Sequence, residues 1–124
     1  MVKRILDVGN CGADFAAMQR FMIGRFDCEV VQAHAAGDAL AELKGGTYDL
    51  VLVNRKLDRD YSDGIEVIRE IKADDDVAAT PVMLITNHDE YQDAAETAGA
   101  LRGFGKLQFD QPETLEKLQA VLGG

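Results

Sequence analysis

Five short apolar runs alternate with five segments of helical periodicity along this chain, and that alternation restricts its fold more than any other feature. The runs have the length of strands, and they cover residues 5–8, 29–33, 50–53, 81–86 and 101–105. The segments that follow them place apolar side chains three or four positions apart, which is typical of amphipathic helices. Strands that alternate with helices predict a parallel sheet with helices on both faces.

Glycine and proline mark the boundaries of the predicted helices. The first helix is expected to run from Asp14 to about Ile23. The last helix is expected to start near Pro112, which suits a first helical turn, with Asp110 as its N-cap. Glycines close the second helix, precede the third and end the fourth, namely Gly45 with Gly46, Gly64, and Gly99.

The length of the chain and the handedness of its connections narrow the topology. With 124 residues, the chain suits one compact domain, residues 1–124, around a single core. Right-handed crossovers between parallel strands leave few arrangements. The leading one is a flavodoxin-like (βα)5 fold, a doubly wound parallel five-stranded sheet with strand order 2-1-3-4-5. The second strand is more polar and is predicted to lie at an edge.

Composition excludes several classes of function. The net charge of -9 argues against binding to a phosphate backbone, which needs clustered Lys and Arg. Hydrophobic residues make up 47% and charged residues 28%, so the chain is globular rather than disordered. The first apolar run is broken by Asp7 and is too short for a signal peptide or a membrane span. We therefore expect a cytoplasmic protein that binds neither nucleic acid nor a membrane.

Cysteine and histidine give no indication of a disulfide or a metal site. Cys11 and Cys28 do not form a short-spaced pair, so two reduced cysteines of a cytosolic protein are expected. His34 and His88 have no matching ligand cluster nearby, which argues against a structural metal. The sequence therefore predicts neither a metal nor another cofactor.

The end of the third strand carries an amide where a functional residue is expected. Ligands of open parallel sheets bind at the carboxyl ends of the strands. The residue that follows the apolar run 50–53 is Asn54. An amide at this position either takes part in the chemistry of the site or marks chemistry that has been lost.

The order of these elements, together with a few local motifs, resembles the receiver domain of response regulators, the phosphorylation module of two-component signalling. The motifs are Ala-Gly-Ala at 98–100 before the fifth strand, Thr86 at the end of the fourth strand, Lys106, and the segment FDQPETLEKL at 109–118. The resemblance covers the chain from Val2 to about Leu122.

The resemblance implies a site that differs from the family's pattern. In that family an acidic pair ends the first strand and holds magnesium, and an aspartate ends the third strand and accepts the phosphoryl group. A Ser or Thr ends the fourth strand and a Lys ends the fifth. Here the acidic pair maps to Gly9 and Asn10, and the acceptor maps to Asn54, whereas Thr86 and Lys106 match.

These replacements remove the chemistry that the family performs. Phosphoryl transfer to a carboxylate needs an ionised oxygen, and magnesium prefers anionic oxygen ligands. The mapped pocket sums to about +1, against about -2 in a typical receiver. The sequence therefore favours a degenerate pseudo-receiver, which is not an enzyme and acts as a phosphorylation-independent protein-interaction module.

Two aspartates are candidates to compensate for the lost carboxylates. Asp7 leaves the same face of the first strand as Gly9, and we expect it to be partly exposed or hydrogen-bonded. An alternative is that Asp7 forms an ion pair with Lys106. Asp58 lies in a long loop after the third strand and is an alternative, displaced phosphoryl acceptor; Asp60 and Asp63 share that loop.

Thr86 and Lys106 carry two further alternatives. They either hold a small anion or form a hydrogen-bonded lock over the pocket. A different class of function, a small-ligand binder on the same flavodoxin-like scaffold, would need a well-formed apolar pocket. At the position of the family's switch aromatic the chain has Gly103, and the neighbouring Phe104 is predicted to be a core residue.

The fourth helix is expected to present an acidic face to a partner. The face consists of Asp89, Glu90, Asp93 and Glu96, with no basic residue on the same helix. Facing acidic rows disfavour a two-fold dimer, although Arg102 and Lys106 offer some relief. A basic helix or loop of a protein partner in a signalling pathway suits this face better.

Overall fold

The computed structural model describes residues 2–123, so Met1 and Gly124 of the expected domain lie outside the described residues. Strands and helices alternate strictly along the chain. The strands are β1 (Lys3–Val8), β2 (Cys28–Ala33), β3 (Leu50–Asn54), β4 (Val82–Ile85) and β5 (Leu101–Phe104). The helices are α1 (Gly12–Ile23), α2 (Ala36–Gly45), α3 (Gly64–Ala73), α4 (Asp89–Thr97) and α5 (Pro112–Leu122).

The sheet has the predicted flavodoxin-like order, β2-β1-β3-β4-β5. All neighbouring strands are parallel. The more polar β2 lies at an edge, which confirms that prediction. The strand β2 lies on one side of β1 and β3 lies on the other, so the direction of the chain across the sheet reverses at β1. The carboxyl ends of β1 and β3 therefore flank the crevice where such sheets bind ligands. Within residues 2–123, no helix has the length and apolar character needed to cross a membrane.

Apolar side chains fill two layers, one on each face of the sheet. Leu6 and Val8 of β1 point to the layer under α2, α3 and α4, whereas Ile5 points to the layer under α1 and α5. Side chains alternate along a strand, so Asp7 shares the α1–α5 face with Ile5. Phe104 is 1% exposed in that layer, which confirms its predicted core position.

The predicted cap of the last helix is wrong. Pro112 is the first helical residue, so the N-cap is Gln111 and Asp110 lies one position too early. The Gln111 side chain makes no capping hydrogen bond. The Thr114 hydroxyl instead donates to the carbonyl of Gln108, at 2.7 Å, and so joins α5 to the short 3₁₀ turn Lys106–Gln108 before it.

The long loop between β3 and α3 folds into a small hairpin, residues 55–63, here called the β3–α3 hairpin. An antiparallel bridge pairs Lys56 with Asp63. The Leu57 amide donates to Ser62 at 3.0 Å, and the Tyr61 amide donates to Leu57 at 3.1 Å. Leu57 is 1% exposed and anchors the hairpin in the core.

The first residue of α3, Gly64, lies so close to the end of β3 that there is no room for a Cβ atom. A Cβ atom on Gly64 would overlap the backbone carbonyl oxygen of Asn54, which cannot move freely. We expect Gly64→Ala to lower the free energy of unfolding by about 1–3 kcal/mol, because the strand end must shift. The matched control is Gly37→Ala in α2, where a Cβ meets open space and about 0.5–1 kcal/mol of stabilisation is expected. Urea unfolding measures both; equal effects would contradict the packing argument.

Candidate functional site

The predicted site residues all lie at the carboxyl edge of the sheet. Gly9 and Asn10 follow β1, Asn54 is the last residue of β3, Thr86 follows β4, and Lys106 begins the turn after β5. The polar side chains among them nevertheless bind separate partners. Asn54 is an example, because its Nδ2 donates to the carbonyl of Lys56 in the β3–α3 hairpin, at 2.7 Å.

Asp7 is a buried carboxylate held by a neighbouring amide. Asp7 and Asn10 are both 0% exposed. The Asn10 Nδ2 donates to both carboxylate oxygens, at 2.8 and 2.9 Å. Loss of hydration raises the pKa of Asp7 from its ordinary 3.8 to about 7, although the Asn10 bonds and the charge of Lys106 oppose that change. The predicted hydrogen bond is therefore present, but the expected partial exposure is not.

The alternative ion pair between Asp7 and Lys106 is wrong. The Lys106 ammonium binds the carboxylate of Asp14 on α1, at 2.8 Å, and this bond holds the pKa of Asp14 below its ordinary value. Asp14 lies in the first turn of α1 and forms a half-exposed ion pair with Lys106. The buried Asp7 accepts its hydrogen bonds from Asn10 instead. The ion pair joins α1 to the loop after β5 and is worth about 1 kcal/mol or less because it is half-exposed.

Thr86 is tied to α4 and not to Lys106. Its hydroxyl accepts a bond from the His88 amide at 3.3 Å. Gln92, which is 4% exposed, donates to the carbonyls of Leu84 and Thr86 and accepts from the Gly103 amide. Among the hydrogen bonds of the described residues, none joins Thr86 to Lys106, so the two do not form the predicted lock together. Sequence reasoning missed Gln92, although it is a polar residue on the apolar face of α4.

Gly9 leaves room for the β3–α3 hairpin. Its backbone has φ 86°, a left-handed conformation that favours glycine. A Cβ on Gly9 would overlap the Leu57 side chain, which packs directly against it. The Asp58 amide also donates to the Gly9 carbonyl, at 2.9 Å. The hairpin therefore occupies the space into which a side chain at position 9 would project.

Asp58 is directed away from Lys106, in contrast to its alternative role as a displaced acceptor. Its carboxylate lies 3.5 Å from the Nδ1 of His34, at the end of β2. The side chains of Asp58 and His34 are 19% and 25% exposed. The contact places the hairpin beside the β2–α2 connection, and sequence reasoning did not find it because 23 intervening residues separate the pair.

The donor atoms at this edge do not fit a magnesium ion. Gly9 has no side chain, and the Asn10 amide nitrogen faces Asp7 and occupies both of its oxygens. Asn10 Oδ1 is buried without a partner, but it is a single neutral oxygen. Within residues 2–123, no group of three or more His, Cys, Asp or Glu side chains is arranged to hold a metal ion.

Comparison with known proteins identifies the family. The family model described as the response regulator receiver domain matches residues 13–119. The chain belongs to the response regulator receiver domain family. No curated protein matches this receiver domain in sequence.

Solved structures share the fold of this receiver domain at low identity. A candidate response regulator from Chloroflexus aurantiacus J-10-fl has a TM-score of 0.84 and 17% identity, with 100% of both chains covered. The Vibrio cholerae chemotaxis protein CheY4 has a TM-score of 0.80 and 21% identity over 98% of this chain and 100% of that one. The receiver domain of the Pseudomonas aeruginosa PAO1 sensor histidine kinase PA1611 has a TM-score of 0.80 and 21% identity, with both chains covered to 100%.

The acidic face of this receiver domain is organised by one arginine. Arg102 of β5 binds Asp89 at 2.9 Å, Asp93 at 2.8 Å and Glu96 at 2.7 Å. Those carboxylates raise the pKa of Arg102 above its ordinary value. One cation thus contacts three exposed acids, and with Glu90 the face keeps a negative charge.

The β3–α3 hairpin also contacts α4 in this receiver domain. The Arg55 guanidinium lies 3.8 Å from the centre of the Tyr91 ring, a cation–π contact. Arg55 directly follows Asn54, so the end of β3 is linked to the acidic helix without a phosphoryl group. Sequence reasoning placed Tyr91 on the fourth helix but gave no role to Arg55.

The buried Asp7 is expected to make stability fall as pH rises. The unfolded carboxyl ionises near 3.8 and the folded one near 7, so the folded chain binds more protons between these values. The free energy of unfolding therefore decreases from about pH 4 to about pH 7, by an amount on the order of 4 kcal/mol, and the full loss persists above pH 7.

Asp7→Asn tests this dependence, because it keeps an acceptor for Asn10 and removes the charge. We expect the variant to be more stable than the wild type at pH 8 and to lose the Asp7 contribution to the slope. Urea unfolding at pH 5 and pH 8 measures the difference. The control is Asp14→Asn: this half-exposed carboxyl has a lowered pKa and is ionised in both the folded and the unfolded chain between pH 5 and pH 8, so the variant should keep the wild-type pH dependence over that range. Parallel pH profiles for Asp7→Asn and the wild type would rule out a raised pKa.

Proposed function

We propose that this receiver domain is a pseudo-receiver, a phosphorylation-independent protein-interaction module in signalling, and that it is not an enzyme. The observation that carries the proposal is that an amide, and not a carboxylate, ends β3 at the crevice between β1 and β3. Asn54 ends β3, and its amide is bound to the carbonyl of Lys56. The carboxylate nearest in sequence to the end of β1 is Asp7, which is buried under Asn10.

The chemistry of the amide supports this reading. Phosphoryl transfer to protein needs an ionised nucleophile in line with the leaving group. The Asn54 side chain has no charge, and its nitrogen is committed as a donor. Lys106, which matches the family's lysine, is bound to Asp14 on α1. The pocket therefore offers neither an acceptor nor a free cation for a phosphoryl group.

The packing around Gly9 supports the absence of a metal-dependent step. The PA1611 receiver domain is described with a magnesium ion coordinated in its active site cleft. Here an acidic side chain at position 9 would have to displace Leu57, and Asn10 offers a neutral oxygen. Both features support a function that does not depend on magnesium or phosphate.

The partner proposed for this domain is a protein with a basic helix or loop. The acidic face of α4 keeps a negative charge despite Arg102. Like charges on facing copies of one row disfavour a two-fold dimer through this face. Electrostatic complementarity would instead steer a basic segment to it and increase the rate of association at low salt.

Treatment with a small-molecule phosphodonor tests the proposal. We expect the intact mass of the wild type to stay unchanged, because no ionised acceptor faces the crevice. Asn54→Asp alone is also expected to remain unmodified, since the metal ligands are still missing. Phosphorylation is expected only when Gly9 and Asn10 are made acidic as well, with Leu57→Ala to make room. A wild-type adduct that disappears in Asp58→Ala would show a displaced acceptor and overturn the proposal.

Magnesium with beryllofluoride provides a second test that does not depend on turnover. A ligand stabilises a fold only if it binds the folded state. We expect the thermal midpoint of this domain to be the same with and without both ions, as measured by differential scanning calorimetry. The variant with acidic residues at 9, 10 and 54 and Leu57→Ala is the positive control. A clear upward shift of the wild-type midpoint would show that the crevice holds the ions.

A further inference from the structure

The β3–α3 hairpin presents an aromatic ring to solvent. Tyr61 is 75% exposed, and among the described residues it is the one aromatic within the set of exposed large apolar side chains. Its backbone has φ 57° and is held by the bond from its amide to Leu57. The hairpin itself is seated on the core through Leu57. The ring is thus held away from the domain by an anchored segment.

The three acidic side chains of the hairpin each have a neighbour within the domain, and two of its cations have no ion pair among the described residues. Asp58 lies against His34, Asp60 binds the amide and hydroxyl of Ser62, and Asp63 caps α3 through the Ile65 amide. The exposed cations form no ion pair with any residue between 2 and 123; they are Lys56 and Arg59. The hairpin therefore combines an exposed aromatic ring with two exposed cations, Lys56 at its base and Arg59 near its tip.

A groove between the sheet edge and α5 is lined by apolar side chains and by the stems of two cations, and it borders the acidic face of α4. It has a volume of about 240 Å³. Leu101 on its wall is 47% exposed. Its cations are already engaged, because Arg102 holds the α4 acids and Lys117 donates to the Gly103 carbonyl at 3.1 Å. The lining residues are Met83, Leu101, Arg102, Lys117, Ala120 and Val121.

The lining of this groove suits an aromatic ring. Methyl and methylene groups provide apolar contact area, and the engaged cations can approach the face of a ring. Arg102 lines the groove and also contacts the acids of α4, so the groove and the acidic face are adjacent. A segment that carries an aromatic ring and neighbouring cations can place the ring in the groove and the cations against the acids. Tyr61 with Lys56 and Arg59 has this combination.

We propose that the domain associates head to tail with a second copy of itself, with Tyr61 of one copy in the groove of the next. Lys56 and Arg59 then face the acidic row of α4. The inference rests on the proposed function, because it names a second copy as a partner of the acidic face. The two contact surfaces differ, so the contact is heterologous and extends into chains instead of closing as a two-fold dimer. A small contact area makes the association weak and reversible.

Sedimentation equilibrium of the purified domain tests the proposal with two complementary variants. Tyr61→Asn removes the ring and keeps a residue type that tolerates a left-handed backbone. Ala120→Arg fills the exposed wall of the groove with a cation and keeps a good helix former in α5. Gln119→Arg adds the same charge at a neighbouring exposed position outside the groove and is the matched control.

We expect the weight-average mass of the wild type to rise above 13.5 kDa with concentration, past that of a dimer, and to fall at high salt. Tyr61→Asn and Ala120→Arg should each weaken association by at least about tenfold, whereas Gln119→Arg should associate like the wild type. In an equimolar mixture of the two variants, Tyr61 of the Ala120→Arg variant can enter the intact groove of the Tyr61→Asn variant. The remaining ring and the remaining groove of that pair are both altered, so we expect a dimer and no larger species.

Three results would overturn the proposal: a wild type that stays monomeric at every concentration, a mixture that stays monomeric, or association that survives Tyr61→Asn. The last result would indicate a symmetric dimer through another surface. Failure here is distinguishable from failure of the proposed function. A monomeric domain that still takes up no phosphoryl group leaves the pseudo-receiver proposal intact with another basic partner, whereas a phosphorylated domain overturns that proposal whatever its mass.

Discussion

The packing of Leu57 against Gly9 is the contact on which the rest of the crevice depends. Gly9 adopts a left-handed backbone and has no side chain, so Leu57 can approach it and become 1% exposed. The bond from the Asp58 amide to the Gly9 carbonyl fixes the same approach through the backbone. An apolar side chain thus fills space beside β1 that a charged ligand group would need. The β3–α3 hairpin gains a firm seat from the same contact.

Once that space is filled, the polar groups at the sheet edge must find partners elsewhere, because an unpaired buried polar group is unfavourable. Asp7 is satisfied by Asn10 from below, and Asn54 by a carbonyl of its own loop. Lys106 reaches outward to Asp14. Residues that converge on one ligand in the family's pattern are here divided among separate bonds. The crevice has therefore become part of the packing of the domain.

Contacts from β5, from β4 and from the end of β3 hold α4 and its surface in place. Arg102 fixes three carboxylates of the helix from β5, and Arg55 holds the helix from the end of β3 through Tyr91. Gln92 binds the helix to β4 and to Gly103. The hairpin contributes to that surface as well as to the crevice.

Apolar periodicity is a local property of the amino-acid chain, so it was enough to predict the strands, the helices and the parallel sheet. The strand order followed because right-handed crossovers leave few topologies. The N-cap of the last helix was predicted one residue too early, at Asp110 instead of Gln111, since a single position separates the two. The ionic partners became visible only in the folded domain. Asp14 reaches Lys106 across 92 positions, while Asp7 is satisfied by Asn10 only three residues away. Charge pairing depends on distances in the folded chain, and spacing along the sequence does not give those distances.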